Sequence, residues 1–223
     1  MAIYIAHWSQ PQLLIVPNKT ASMYVEIVAD YRTVSRAECN PLWPATLIVR
    51  DPVSWYVSGY RHCVNPGWIV SDESYSTHNQ KDFAGHLQHC LIRRNLAHEG
   101  VIDDITPWDF HSWMNCRYQA EGRYYGLSTD QNRQPRAALN VQNIVQLENQ
   151  ELFDRTVQDY TGKAKLDKVH HNQNWGTDYP ELTDECAELL RQLDDWSHSV
   201  GYDLESSIAQ YKEKESNASL CVS

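Results

Sequence analysis

The chain has 223 residues, of which 42% are hydrophobic and 22% are charged, as is ordinary for a globular protein. A chain of this length can bury a substantial core without disulfides or metal ions. Its formal net charge of −10 argues against a general nucleic-acid binder, which needs a basic surface to neutralise phosphates. A basic pocket within one cleft is compatible with this charge.

Neither a membrane segment nor a targeting segment is apparent in the sequence. No stretch approaches the roughly 18 apolar residues that a membrane span needs. Residues 1–15 lack the basic start and the long apolar run of a signal peptide. We therefore expect a cytoplasmic protein with no membrane partner. The six cysteines form no C-x-x-C pair, so we expect mainly buried thiols rather than a zinc ribbon or a redox motif.

Short apolar runs alternate with helical patterns along most of the chain. In the first part of the chain, the sequence predicts a strand at 13–16, a helix at 21–31, a short strand at 33–35, a strand at 46–49 and a helix at 53–62. A loop at 65–80 and a helix at 83–98 follow. The later elements are a strand at 144–147 and helices at 151–160 and 184–199, which stop near Gly162 and Gly201. Residues 206–223 contain few large apolar side chains, which predicts a flexible C-terminal tail.

This alternation favours an α/β fold. We expect a single domain over residues 1–205, with a central, mainly parallel sheet flanked by helices. In such sheets, ligands bind beyond the carboxyl ends of the strands. Two charged loops follow predicted strands at such ends, one after Val16 and one after Val49.

The first loop has the features of a phosphate-binding segment. Pro17 opens it, Lys19 supplies a full positive charge, and Thr20 and Ser22 supply hydroxyl groups. Backbone N–H groups at the start of the following helix add partial positive charge. The loop has no glycine, so it does not match the G-x-x-x-x-G-K-[ST] pattern of nucleoside triphosphatases. A helix cap with a solvated lysine is the alternative interpretation.

The second loop contains Arg50, Asp51 and Pro52, and Ser58 follows on the next predicted helix. Arginine is suited to forked contact with phosphate oxygens, and a serine hydroxyl could donate to the same group. A structural ion pair at a strand end is the alternative for an Arg-Asp sequence considered by itself.

Together, the two segments resemble a known family. A strand followed by Pro-x-Lys-Thr-Ala-Ser, then a strand followed by Arg-Asp-Pro with a serine eight residues after the arginine, is similar to the sulfotransferases that use 3′-phosphoadenosine-5′-phosphosulfate (PAPS). The closest likeness is to the carbohydrate-modifying branch, whose architecture is P-loop-like. The resemblance implies that the 3′-phosphate is held by Arg50 and Ser58. It implies that the 5′-phosphosulfate is held by the first loop, through Pro17, Lys19, Thr20, Ala21, Ser22 and Met23.

Later stretches of the chain also resemble this family. They are the strand-like 144–149 that ends in Glu148-Asn149, the sequence 169–172 that contains two histidines before Asn172, and the segment 193–203 with Gly201-Tyr202. The likeness therefore covers about residues 13–204. It implies transfer of a sulfuryl group from PAPS to a hydroxyl on a carbohydrate or small molecule, with no metal ion.

Sulfuryl transfer needs a base that takes the proton of the acceptor hydroxyl. Glu38 is the first choice, because it follows the predicted strand at 33–35 and should reach the same sheet edge as the two loops. Lys19 is the second predicted catalytic residue, since it can stabilise charge on the leaving phosphate oxygen. The weaker candidates for the base are Glu26, His62, His7, His170 and His171.

Several alternatives stay open at the level of sequence. A phosphotransferase that uses a similar loop would need a metal-binding acidic residue, and a non-catalytic module would keep the nucleotide pocket without the base. His86 and His89, with Cys90, could share a helix face as metal ligands, but no third acidic or histidine ligand stands at a known spacing. Three tryptophans could stack on the acceptor or pack in the core; they are Trp43, Trp55 and Trp68.

Overall fold

The computed structural model describes residues 3–17, 20–30, 32–34, 38–63, 82–98, 118–119, 123–124, 139–163, 179–194 and 196–220. The chain divides into two compact units, where the sequence predicted one domain over 1–205. The first unit comprises residues 1–51 and 104–173, and the second comprises residues 52–103 and 174–223.

The first unit is built on a sheet. Within the described residues, six strands form it: β1 (Ile3–Ala6), β2 (Leu13–Val16), β3 (Pro44–Val49), β4 (Tyr118–Gln119), β5 (Arg123–Tyr124) and β6 (Leu139–Gln146). Their spatial order is β1-β2-β3-β6-β5-β4. The three central strands β2, β3 and β6 run parallel, and the outer strands pair antiparallel. The predicted α/β class with a parallel centre is confirmed.

Continuous apolar runs explain the central strands. Every residue of β2 is buried, as are the last five residues of β3, which is typical of parallel strands covered on both faces. The predicted strand at 33–35 is reduced to one bridge, in which Val34 pairs antiparallel with Tyr4 of β1. The sequence did not predict β1, and β6 begins at Leu139 rather than at residue 144.

Two helices pack on the same face of this sheet. They are α1 (Ser22–Val28), which follows β2, and α4 (Gln150–Thr161), which follows β6. Their apolar side chains meet alternate residues of the strands in one core cluster, made of Ile5, Leu14, Val16, Val25, Val28, Ala29, Ile48, Val145, Phe153, Val157 and Tyr160. Burial of this apolar surface determines which face of the sheet the two helices cover.

Local signals set the ends of α4. The Asn149 side chain accepts a hydrogen bond from the Leu152 N–H at 3.2 Å, which is an N-cap. Gly162 ends the helix in the left-handed conformation with φ of 68°, as its position in the sequence predicted. Near this end, the Tyr160 hydroxyl lies 3.0 Å from Thr46 Oγ1 and ties the helix to β3.

The second unit is helical in its described part. It contains α2 (Pro52–Cys63), α3 (Phe83–His98), α5 (Asp184–Leu193), a 3-10 turn (Ser197–Val200) and α6 (Leu204–Leu220). Helix α3 packs on α5, and α2 packs on α6. The rings of Trp55 and Trp196 meet edge to face at 4.9 Å in its core.

Helix α6 differs from the flexible tail that the sequence predicted for 206–223. Ser207, Ile208 and Tyr211 are buried on it, and the Tyr211 hydroxyl donates to the Pro180 carbonyl at 3.0 Å. The segment is rich in good helix formers, and the buried Ile208 and Tyr211 stand at i, i+3 on one face of the helix.

None of the helices in the described ranges is both long and apolar enough to cross a lipid bilayer. The predicted loop at 65–80 and the histidine-containing stretch 169–172 lie outside the described residues.

Candidate functional site

The carboxyl ends of the three parallel strands meet at one edge of the sheet. Strand β2 lies beside β3, and β3 lies beside β6, with Ile15 opposite Leu47 and Val49 opposite Gln146. The three loops that follow these strands therefore leave the sheet side by side. We call them loop A (residues 17–21), loop B (residues 50–51) and loop C (residues 147–149).

Loops B and C are joined by hydrogen bonds. The Leu147 N–H donates to the Val49 carbonyl at 2.8 Å, which continues the ladder beyond the last paired residues. The Asp51 N–H donates to Oε1 of Glu148 at 3.0 Å. The backbone of loop B is thus held against a carboxylate from loop C.

Hydrogen bonds connect Pro17 and Thr20, two of the described residues of loop A. Thr20 is fully buried, its hydroxyl donates to the Pro17 carbonyl at 2.6 Å, and its N–H reaches the same carbonyl at 3.3 Å. Ala21 then adopts the left-handed conformation, with φ of 63° and ψ of 25°, directly before the right-handed residues of α1. A left-handed residue followed by a right-handed one turns successive N–H groups toward the same side, an arrangement that favours anions.

The side chains of loop A differ in part from the prediction. The Thr20 hydroxyl, expected to donate to the ligand, uses its single proton within the loop and therefore holds the loop's shape. Ser22 is half-buried, whereas 48% of Met23 is exposed. Lys19 lies outside the described residues. The first hydrogen bond of α1 runs from the Val25 N–H to the Ala21 carbonyl at 3.1 Å.

The predicted 3′-phosphate pair divides between the two compact units. Arg50 is half-buried and directly follows β3, so it belongs to the edge that carries loop A. Ser58 is half-buried on α2, within the second unit. The joint action of Arg50 and Ser58 on one phosphate stays a prediction.

Glu38 lies in an exposed turn of the first unit. Upstream of it, Val34 pairs antiparallel with Tyr4, and β1 is itself antiparallel to β2. The chain at Val34 therefore runs in the direction of β2, toward the edge that bears the three loops. Residues 35–37 lie outside the described residues, so the position of Glu38 at this edge stays a prediction.

Among the weaker candidates for the base, His7 lies at the opposite edge. It follows β1, and its N–H donates to the Gln12 carbonyl beside the start of β2. Its ring has a serine and an aspartate nearby but does not form a catalytic triad with them. The Ser9 N–H already donates to Nδ1 at 3.1 Å, and Nε2 is 3.7 Å from Asp159 Oδ2, beyond hydrogen-bond distance.

Of the other candidates for the base, the structure describes the side chain of Glu26 alone. Glu26 is half-buried on α1. The side chain of His62, on α2, and both His170 and His171 lie outside the part of the chain whose side chains the structure describes.

The histidine pair on α3 is part of a buried layer. His86 and His89 are both buried, and the His86 ring meets the Tyr60 ring edge to face at 5.4 Å. Burial, with a smaller contribution from His89, lowers the pKa of His86 to about 3, so its ring is neutral at ordinary pH. Across the described residues, no three His, Cys, Asp or Glu side chains lie close enough together to hold a metal ion.

The three tryptophans that were candidates for acceptor stacking have different surroundings. Trp55 is buried in the core of the second unit against Trp196, which favours the packing interpretation. Trp43 is half-buried, and Trp68 lies outside the described residues.

Glu148 is a residue of this edge that the sequence analysis did not assign to the site. It entered that analysis only as the end of a strand similar to one in the sulfotransferases. A better signal was available, because Glu148 follows a predicted parallel strand in the same way as Arg50 does.

Comparisons of this chain with protein-family models, with curated proteins and with solved structures find no match.

Proposed function

We propose that this chain is a PAPS-dependent sulfotransferase with a P-loop-like architecture, which moves a sulfuryl group to a hydroxyl on a carbohydrate or small molecule. One observation carries the proposal. Loop A, with its left-handed Ala21, and loop B, with Arg50, leave neighbouring parallel strands at the same edge. Two anionic groups of one nucleotide could therefore be bound side by side, as the resemblance to sulfotransferases implies.

The binding role assigned to loop A rests on its backbone and on Lys19. Left-handed Ala21, followed by the right-handed start of α1, turns successive N–H groups to one side, which suits a phosphosulfate. Because α1 has only seven residues, we give its dipole little weight. The charge of Lys19 and the N–H groups would stabilise the phosphate oxygen from which the sulfuryl group departs.

The reaction balances without a metal ion. The acceptor hydroxyl oxygen forms a bond to sulfur as the bond between sulfur and the phosphate oxygen breaks. The acceptor proton passes to the Glu38 carboxylate, and the leaving product is 3′,5′-adenosine bisphosphate. A general base of this kind contributes about 10²–10⁴-fold to the rate.

A transfer assay tests this proposal. The purified chain is incubated with PAPS labelled with ³⁵S and a panel of neutral glycans, phenols and hydroxylated peptides, and labelled product is counted. Once an acceptor is found, we expect Glu38→Gln to lower kcat by about 10²-fold or more. We expect Lys19→Ala to lower it by about 10²–10³-fold, because it removes charge from the leaving oxygen.

Matched controls separate these roles from general effects of charge. Glu213→Gln and Lys214→Ala change exposed residues of α6 and should leave the rate unchanged. Undiminished transfer by Glu38→Gln would remove Glu38 from the mechanism. Undiminished transfer by Lys19→Ala would remove the loop A assignment.

A second function is favoured by the carboxylates at the same edge. The hydrogen bond from the Asp51 N–H places the Glu148 carboxylate beside the backbone of Asp51. One or two carboxylates, with substrate phosphates and water, are enough to hold Mg²⁺. A phosphotransferase would therefore bind Mg·ATP here, and its activity would be lost in EDTA, whereas sulfuryl transfer would persist.

A further inference from the structure

A cavity of about 290 Å³ lies in the first unit, at the end of the sheet opposite loops A and B. Ala6 forms part of its wall and pairs with Leu13, the first residue of β2, which fixes its position at this end. An apolar cavity of about 150 Å³ is enough to hold a benzene molecule. This cavity is open to solvent, with Arg32 and Thr33 exposed at its wall, and its volume is enough for a six-membered ring.

The wall of this cavity is largely apolar. Ile5 and Ala6 of β1, Ala29 at the end of α1, and Val34 contribute aliphatic surface. Tyr160 also lines the cavity and contributes its aromatic ring. Its hydroxyl is already engaged, because it lies 3.0 Å from Thr46 Oγ1. Apolar walls with a few placed polar groups are typical of small-molecule sites.

Arg32 supplies the charged group of the cavity, where Thr33 also lines the wall. Its Nε donates to the Ala29 carbonyl at 3.0 Å, and its Nη2 donates to the Thr161 carbonyl at 3.1 Å. Both carbonyls belong to helix ends, so the guanidinium is held in place by two backbone acceptors. A guanidinium has five N–H donors, and these two bonds use only two of them.

The charge around Arg32 favours an anion. Asp30, the neighbouring acid, forms an ion pair with Lys163, and this contact lowers the pKa of the Asp30 carboxyl. Arg32 also attracts Asp30, but more weakly than Lys163 does, and the three side chains together carry one net positive charge. A fixed guanidinium with spare donors beside an apolar wall suits a planar carboxylate, which it can contact with two parallel hydrogen bonds.

We propose that this cavity binds a small carboxylate with an apolar body, with the ring or chain against Ile5, Ala29, Val34 and Tyr160 and the carboxylate on Arg32. The site lies apart from loops A and B and does not depend on the proposed sulfotransferase activity.

Benzoate is a suitable probe, and the neutral benzyl alcohol and the non-aromatic acetate are its comparators. Amide chemical shifts of the isotopically labelled full chain are followed during titration with each compound. We expect benzoate to bind with a Kd of about 1 mM or below, as is usual for a ligand of nine heavy atoms. The shift changes should centre on β1, on residues 29–34 and on the end of α4. Each comparator should bind at least about tenfold more weakly.

Two variants and a control complete the test. Val34→Phe fills the cavity and should weaken benzoate binding at least about tenfold. Arg32→Gln should weaken benzoate by a similar factor but leave benzyl alcohol unchanged, because it removes the charge only. Arg155→Gln, which changes an exposed arginine on α4, should have no effect.

The proposal is overturned if benzoate shows no binding at about 10 mM, an upper limit for weak specific ligands. It is also overturned if benzyl alcohol binds equally well, or if Val34→Phe binds benzoate as the parent does. Since Arg32→Gln removes bonds to two helix ends and could unfold the chain, the Val34→Phe result decides the matter in that case.

Discussion

At the scale of single residues, Ala21 is the most informative position of the candidate site. Its left-handed backbone costs an alanine about 1 kcal/mol relative to glycine, because the Cβ atom approaches the following carbonyl oxygen. Strain of this kind persists where the surroundings enforce it, often next to a ligand. Thr20, the residue before Ala21, bonds the Pro17 carbonyl through both its hydroxyl and its N–H.

Substitutions at Ala21 should reveal this strain. We expect Ala21→Val to lower the free energy of unfolding by about 1–2 kcal/mol, since a β-branched side chain is strongly disfavoured at positive φ. Ala21→Gly should be neutral or stabilising, by up to about 1 kcal/mol. Urea titration monitored by circular dichroism measures both.

Ala209 provides the matched control for Ala21. It is an exposed residue within α6, where the backbone is helical, so Ala209→Gly should lower stability by about 1 kcal/mol. If Ala21→Gly destabilised the chain as much as Ala209→Gly does, the left-handed conformation at Ala21 would be contradicted.

At the scale of elements, the hydrophobic pattern predicts the central strands and the long amphipathic helices well. β2 and β3 are continuous apolar runs, and α4 carries a cap and a stop signal at Asn149 and Gly162. Elements with weak patterns were missed. The predicted start of β6 was five residues too late. Polar residues such as Gln142 and Asn143 are exposed on this strand, and a polar exposed strand has little hydrophobic signal.

The candidate site shows the same division between what sequence can and cannot predict. Arg50 and loop A were predicted at strand ends, and the parallel pairing of β2 with β3 brings their ends to one edge. The inward bond of the Thr20 hydroxyl and the link from Glu148 to loop B depend on side-chain orientation and on tertiary contacts. No periodicity in the sequence encodes either feature.

Helix α3 should make stability depend on pH through His86. Its folded pKa of about 3 is below the unfolded value of about 6.5, so protonation favours the unfolded chain. The stabilising contribution of the neutral ring is complete above about pH 6.5 and is lost as the pH falls toward about 3. His86→Leu removes this proton site.

The prediction is tested by comparing unfolding free energies of the parent and His86→Leu from pH 7 to pH 4. Over that range, the parent should lose up to about 1.4 kcal/mol per pH unit more than the variant. Gln88→Ala, an exposed neighbour on α3, should keep the slope of the parent. Equal slopes for the parent and His86→Leu would show that His86 is not buried as a neutral ring.

At the scale of the whole molecule, the proposal places a local site for an anion on an acidic chain. The net charge of −10 disfavours extended polyanions as partners, but Arg50 and loop A concentrate anion-binding groups at one edge of the sheet. The first unit contains this edge, and the second unit contains Ser58.

Calorimetric titration with 3′,5′-adenosine bisphosphate in EDTA tests the central claim most directly. The account predicts one-to-one binding that Arg50→Ala weakens at least about tenfold, because a charge-assisted contact to the 3′-phosphate is lost. Arg155→Ala, at an exposed arginine of α4 paired with Glu151, should bind like the parent. Absence of binding, or equal binding by Arg50→Ala and the parent, would contradict the account. So would binding of Mg·ATP in place of the bisphosphate in a separate titration with Mg²⁺ and without EDTA.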